Sequence, residues 1–446
     1  MSGGTALWFK YWQGGGRLKL RSVQFAALLV LTACGNPART SPQSRDDPPG
    51  FGGAAGPANL PPSAPPFATT AISTFESPSA IAFLPGTTTA LVTEKPGRIW
   101  LIDLHNGAKQ QVARAPAVAT RGTSDQGGFL DIILSPHFAE DRLVYVTYSE
   151  PSQNGGSGLA LARARLDRSA VPALQQLQVI WRDPGGGNGG QFGGIVAFAP
   201  DGQSLFLSSG ERQRFTPAQD PNQPLGKILH LTLDGKPAPG NPWASRLGAR
   251  TVTVIDPPEN TETAKHTRGR QVTWPGPNLT SSETWTLGHR NPYGLAFAPD
   301  GRLWETEMGP RGGDELNLIL KGGNYGWPLV SQGKNYDGVP IPPHSARPDF
   351  SPPKLYWVPS VSPTSLLFYS GNLFPQWKGD ALIGSLSGHV LIHVRIRGDQ
   401  AKALEQWDMG HRIRFVGEGP GGAVYLLEDG SGARLLRLTP VPARSD

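Results

Sequence analysis

The sequence predicts an all-β fold, a six-bladed β-propeller, from three observations: one phrase recurs six times, turn residues punctuate every copy, and no helical periodicity separates the copies. The phrase is an apolar run, a Pro or Gly turn and a second apolar run. It reads AIAFLPGTTTALVTE from Ala80, DIILSPHFAEDRLVYVTY from Asp131 and GIVAFAPDGQSLFLSSGE from Gly194. It returns as GLAFAPDGRLWETEMGP from Gly294, SLLFYSGNLFPQWKGDALIGSL from Ser365 and VGEGPGGAVYLLEDG from Val416.

Each copy reads as two short strands joined by a tight turn, because a Pro-Asp-Gly type sequence supplies a preset φ and then a positive one. A lone hairpin is only marginally stable, so six of them call for radial packing into four-stranded blades. A β-sandwich with PDG turns is the other architecture compatible with these hairpins. The long spacing before Gly294 contains a Pro-, Thr- and charge-rich stretch over about 244–282, read as an insertion looping over one face.

Composition agrees with many strands and turns. Gly 57 and Pro 44 approach low-complexity levels, yet 12 Trp, 17 Phe and 9 Tyr are too many for disorder. The formal charge is +6 with only 17% charged residues, and no dense Lys/Arg run occurs beyond the N-terminus, which argues against a nucleic-acid partner. One cysteine excludes an intrachain disulfide and a Cys-rich zinc site.

That cysteine sits at the end of an export signal. Basic RLKLR from Arg17, apolar Ala26 to Leu31, then Thr32-Ala33-Cys34 have the layout of a secretory segment whose apolar run is too short to span a bilayer. Leu31-Thr32-Ala33-Cys34 resembles a bacterial lipoprotein box, which makes residues 1–34 a signal and Cys34 a lipidation site; a buried free thiol is the plainer alternative. Gly35 in place of an aspartate leans toward the outer membrane, facing the periplasm. Residues 35–66, rich in Pro, Ala, Gly and Ser, read as a flexible tether, leaving 67–443 for the propeller.

Five phrases carry a family resemblance: QGGFLDIILSPHF, GKILHLTLDGKPAPGNPW, GHRNPYGLAFAPDGRLW, EMGPRGGDELNLILKGGNYGWP and SLLFYSGNLFP. From about Glu76 to Pro440 the chain resembles the soluble aldose sugar and glucose dehydrogenases, six-bladed propellers dependent on pyrroloquinoline quinone and calcium. The resemblance implies oxidation of an aldose at its anomeric carbon to a lactone, by hydride transfer to the quinone. Such chemistry needs a base for the hydroxyl proton, a cation to polarise the quinone, and positive groups for the cofactor's three carboxylates.

By that resemblance, Gln126, Arg290, Asn291, Arg412 and Arg414 face the cofactor and Trp357 stacks on its plane. Gly309 and Pro310 offer backbone carbonyls to a catalytic calcium, and Glu315 with the Tyr325 carbonyl forms a second calcium site. Each residue also has an ordinary reading: salt-bridge arginines at blade junctions, a solvated loop acid, a core tryptophan. Arg412 and Arg414, two apart on a strand, share one face and can reach one ligand.

Other positions depart from the family pattern. Gln191 in QFGGI stands where a histidine base is expected, and an amide cannot accept a proton near neutral pH. Ile195 replaces an arginine, Met308 a histidine, and Ser387 a cofactor-contacting lysine, while Phe415 follows the RIR pair in place of an aspartate. Glu211 in SSGER matches the acid that orients the histidine and is the candidate replacement base. Two functions follow: a quinoprotein sugar oxidoreductase, or a non-catalytic lipid-anchored propeller that binds a carbohydrate or protein on its former active face. The electron acceptor and the preferred sugar are not legible.

Overall fold

The computed structural model describes residues 58–120, 126–152, 156–255 and 269–441. The lipoprotein signal, Cys34 and most of the tether lie outside the described residues.

Six four-stranded antiparallel sheets stand in a ring. Their innermost strands are Pro78–Phe83, Phe129–Leu134, Gly193–Phe198, Pro292–Phe297, Pro363–Phe368 and Ile413–Glu418, numbered here as blades 1 to 6. Each repeated phrase supplies the innermost strand of a blade and its hairpin partner. The turns form for the expected reason: Gly202 and Gly301 adopt φ of 69° and 80°, and the Asp201 and Asp300 carboxylates accept the amides two residues on at 3.0 and 3.1 Å.

Blade 6 joins the two ends of the domain. Its strands Ile413–Glu418, Val424–Glu428 and Ala433–Pro440 are completed by Phe67–Phe75, with Phe67 opposite Pro440 and Phe75 opposite Ala433. Polar side chains tie neighbouring inner strands together. Asp131 accepts the Val196 amide at 2.9 Å, Ser79 donates to the Phe129 carbonyl at 2.7 Å, and the Ser365 hydroxyl accepts the Val416 amide at 2.9 Å. Between the blades lie apolar layers such as Trp304, Leu316, Trp357, Ile383 and Ile392, which are fully buried.

All six innermost strands show a register irregularity at their first residues. Such bulges re-aim side chains at strand ends, and the residues just ahead of them form the candidate site. Among the described residues the helices are single turns, and none is long and apolar enough to cross a membrane.

Two sequence readings change. The insertion folds as a hairpin, Thr251–Ile255 with Gly269–Thr273, between the third and fourth strands of blade 3, and packs Val252, Val254, Val272 and Trp274 into its own small core. Residues 58–66, assigned to the tether, are part of the fold. Ala58 donates its amide to the Tyr356 carbonyl at 2.7 Å, Ser63 to the Gln406 carbonyl at 2.9 Å, and the Asn59 amide brackets Val358 and Pro359. The segment therefore clasps the outer edges of blades 4 and 5, where otherwise unpaired strand groups meet solvent.

Candidate active site

The loop entering blade 3 is held from beneath. Positive φ at Gly186, Gly187 and Gly189 turns carbonyls toward two buried arginines delivered by the SSGERQR run. Arg212 donates to Gly189 at 2.8 Å and to Ser157 at 3.0 Å, and Arg214 donates to Gly186 at 2.8 Å and Asn188 at 3.0 Å. Buried guanidinium groups require such acceptors. From the hairpin insertion, Arg270 reaches the Gly185 carbonyl of the same loop.

Gln191 follows this loop in the left-handed region, φ 55°. Its backbone N–H donates to Gln126 Oε1 at 2.7 Å. With its side-chain amide assigned so that both neighbours are satisfied, it bridges an acid and a cation: the nitrogen donates to Glu211 Oε1 at 2.5 Å, and the oxygen accepts from Arg290 Nη2 at 2.8 Å. The other guanidinium nitrogen of Arg290 donates to the Met308 and Gly309 carbonyls at 2.9 and 2.7 Å. Gln126, Gln191, Glu211, Arg290 and Gly309, from blades 2, 3 and 4, thus form one hydrogen-bonded chain. The Asn291 amide nitrogen contacts Met308 Sδ at 3.6 Å, and its buried Oδ1 has no partner.

An axial cavity of about 440 Å³ runs between the innermost strands of all six blades. Its wall is largely apolar, with Ile195 and Phe415 on it as well as Leu130 and Leu295, and its charged members include Lys95, Asp131 and Arg414. Arg414 lies 5.9 Å over the Tyr293 ring, which faces it from blade 4. Arg412 and Arg414 converge on Asp429, at 2.8 Å and 2.7 Å, and Lys95 Nζ stands 4.0 Å from the same carboxylate. Burial pushes the Asp429 carboxyl up, but the charges of Arg414 and Lys95 and the arginine hydrogen bonds outweigh it and hold it well below the usual range.

Gly309, Glu307, Glu315 and Tyr325 border a second, small cavity of about 10 Å³, room for one water-sized occupant. Beside it the Asn317 amide nitrogen donates to Glu305, Glu307 and Glu315 at 3.2, 3.3 and 3.2 Å. His289, Glu305 and Glu307 bring three possible ligand atoms within 4.8 Å of one another. Burial, then the neighbouring carboxylate of Glu307, pushes Glu305 and Glu315 well above the ordinary carboxylate range. The Tyr325 carbonyl accepts from His344 Nε2 at 3.1 Å. Pro310 is buried next to Gly309.

The structure revises the expected roles of Trp357 and Glu211 and places Ser387. Trp357 is fully buried between blades 4 and 5, so it is a core residue and not a cofactor platform. Ser387 is exposed, bonded to the Ser362 hydroxyl at 2.8 Å and the Ser360 carbonyl at 3.2 Å, and like Gln191, Arg290 and Asn291 it does not line the axial cavity. Glu211 is 1% exposed, with one oxygen on Gln191 and the other on the Phe215 amide. It backs Gln191 from within the protein, both carboxylate oxygens engaged. Desolvation raises its pKa against the opposing charge of Arg290 and the amides of Phe215 and Arg214. Residues that the sequence reading missed are Asp429, Lys95, Glu305, Glu307 and His289; of these, the two glutamates inside WETEMGP and the histidine of GHRNP carried a local signal.

The model for the family described as glucose/sorbosone dehydrogenase matches residues 75–253 and 275–437. The chain belongs to that family. The unmatched stretch falls on the hairpin insertion. The aldose sugar dehydrogenase YliI of Escherichia coli is 33% identical over 372 residues, covering 82% of this chain and 90% of its own. Quinoprotein glucose dehydrogenase B of Acinetobacter calcoaceticus is 25% identical over 442 residues, covering 81% and 85%. Among solved structures, apo soluble aldose sugar dehydrogenase from Escherichia coli superposes with a TM-score of 0.71 at 31% identity, covering 84% of this chain and 100% of its own. The pyrroloquinoline quinone-bound aldose sugar dehydrogenase of Streptomyces coelicolor gives 0.61 at 26%, covering 85% and 99%. This glucose/sorbosone dehydrogenase family member therefore shares fold and ancestry with sugar oxidoreductases.

Proposed function

We propose that this chain is a quinoprotein oxidoreductase that converts the anomeric carbon of an aldose to a lactone. The observation that carries the proposal is the hydrogen-bonded chain from Gln126 through Gln191 and Arg290 to Gly309, which gathers family cofactor positions from three blades at one end of the ring. The residues suit the cofactor: Arg290, Arg412 and Arg414 offer charge to carboxylates, and the orphaned Asn291 Oδ1 marks a buried polar group awaiting a ligand. Pyrroloquinoline quinone, when bound, supplies the acceptor for the hydride leaving the sugar carbon.

Calcium is proposed on the Gly309 and Pro310 carbonyls and, separately, at Glu315 and the Tyr325 carbonyl, all hard oxygen donors. Arg290 donates to the Gly309 carbonyl at 2.7 Å, so an ion bound there would take that oxygen's remaining lone pair. Glu211 and Arg290 fix the Gln191 amide but leave no group there that accepts a proton near neutral pH. The sugar hydroxyl proton is therefore lost to solvent, and turnover is about 10²- to 10⁴-fold slower than with a histidine at this position.

The N-terminal Leu31-Thr32-Ala33-Cys34 supports a lipid anchor at Cys34, placing the domain at the cell envelope, on the periplasmic side of the outer membrane. Purified protein supplied with calcium and the quinone should bind the cofactor and reduce a dye when an aldose is added. Absence of binding at micromolar cofactor ends this reading. Binding without turnover supports a propeller that only holds a ligand.

A further inference from the structure

We infer that His289, Glu305 and Glu307 hold a first-row divalent metal ion inside blade 4, separate from the proposed calcium positions, and that this ion pins the turn carrying Arg290 and Asn291.

The strand pattern gathers the donors. Glu305 and Glu307 are two apart on Leu303–Glu307 and so share one face. Opposite them in register on Asp314–Leu318 stand Asn317 and Glu315. His289 comes over from the turn ahead of Pro292–Phe297, its ring stacked on Tyr325 with centroids 4.6 Å apart. One ligand atom from each of His289, Glu305 and Glu307 lies within 4.8 Å of the others. His289 and Glu305 are both 0% exposed, and Glu307 is buried with them.

The hydrogen bonds do not satisfy this cluster. Asn317 meets three carboxylates with one amide nitrogen, which carries only two hydrogens. Glu305 Oε1 is buried with no hydrogen-bond partner, and so is Asn317 Oδ1. A bare carboxylate oxygen enclosed beside an imidazole and a second carboxylate calls for a cation.

The remaining contacts leave the right atoms facing inward. The Arg290 backbone N–H donates to Glu307 Oε2 at 2.6 Å, which turns Glu307 Oε1 toward His289 Nδ1 at 3.3 Å. On the far side of the ring, Nε2 lies 2.9 Å from the Thr286 hydroxyl. With a metal on Nδ1, Nε2 carries the proton and donates to that hydroxyl, the kind of outer partner that orients a ligating imidazole. One nitrogen and two carboxylates suit zinc or manganese(II), whereas calcium prefers oxygen alone, as Glu315 and the Tyr325 carbonyl offer.

The test is calorimetric titration of the full-length protein, stripped of divalent ions, with zinc and with manganese(II), and a count of bound metal by mass spectrometry. T286V should weaken zinc binding by about 10- to 100-fold, and E305Q and H289Q should each weaken it further. E305Q removes a buried charge, so it needs no cation to fold, and melts of the stripped variants verify that. E315Q should hold zinc within a few-fold of wild type, and E305Q should keep the calcium response. A wild type that binds neither metal overturns the inference, the cluster then being neutralised by protons. Zinc binding retained by both E305Q and H289Q places the ion elsewhere and overturns it too. Equal loss in E315Q and E305Q makes a single site shared with calcium, which also overturns it. No quinone or sugar enters these measurements, so their outcome is separate from that of the proposed oxidation.

Discussion

The Gln191 amide nitrogen lies 2.5 Å from Glu211 Oε1, so a buried acid is spent on orienting a side chain that cannot take a proton. An acid backing a histidine would fix its tautomer and raise its basicity; backing an amide, it supplies only position. Glu211 therefore keeps a positioning role while the residue it positions has changed.

Replacing Gln191 tests this directly. Q191H should raise kcat for aldose oxidation, assayed by dye reduction with calcium and the quinone, by about 10²- to 10⁴-fold. The gain should follow a pH profile that rises as the new imidazole loses its proton, near pH 6.5 for an unperturbed histidine. Adding E211Q should cut it back and shift that profile. A rate that stays flat across pH in Q191H would show that the missing base is not what limits the enzyme.

Glu283 gives a stability prediction away from the site. It accepts a hydrogen bond from Trp181 Nε1 at 3.0 Å, and burial, outweighing that bond, pushes its pKa from 4.5 up to about 7. The carboxyl folds best when neutral. Its contribution is complete below pH 4.5, declines as pH rises, and is gone above about pH 7. E283Q, neutral at every pH and still able to accept from Trp181, should be more stable than wild type by about 3 kcal/mol at pH 8 and equal to it at pH 4. Denaturant melts at the two pH values decide it.

Calcium should stabilise the protein through the Glu315 cavity. Stripping divalent ions is expected to lower the melting temperature, and calcium to restore it. E315Q should abolish the restoration without changing the melting temperature of the stripped protein by more than a few degrees. A calcium response that survives E315Q would assign the ion to the Gly309 carbonyls alone.

Trp357 should behave as a core residue. W357A is expected to cost about 3 to 5 kcal/mol of stability, and W357F less, with cofactor affinity unchanged in the folded fraction. A selective loss of affinity at unchanged stability would restore Trp357 to the binding site.

The inner half of every blade was legible in the sequence because its two strands are long, apolar and joined by turn residues of fixed chemistry. The outer strands were not. Lys109–Gln111 is three exposed polar residues, and Leu355–Trp357 is equally short, so pairing with a neighbour defines them rather than pattern. Gln191, Arg290 and Asn291 were readable because they lie in phrases that resemble the family's, QFGGI and GHRNP, just ahead of inner strands. Trp357 was misplaced because facing a cavity or a core depends on strand parity, which one residue of slip reverses. Asp429 and Lys95 meet only when blade 6 and blade 1 become neighbours, a relation no local phrase encodes.

The pairing of Phe67–Phe75 with Ala433–Pro440 has a temporal consequence. The earliest strand of the domain to be made waits for the last, so a nascent chain short of its final strand has neither a closed circle nor the seam that unites Lys95, Arg414 and Asp429. The ring closes only when these two strands pair, and a cut within Ala433–Pro440 should open it.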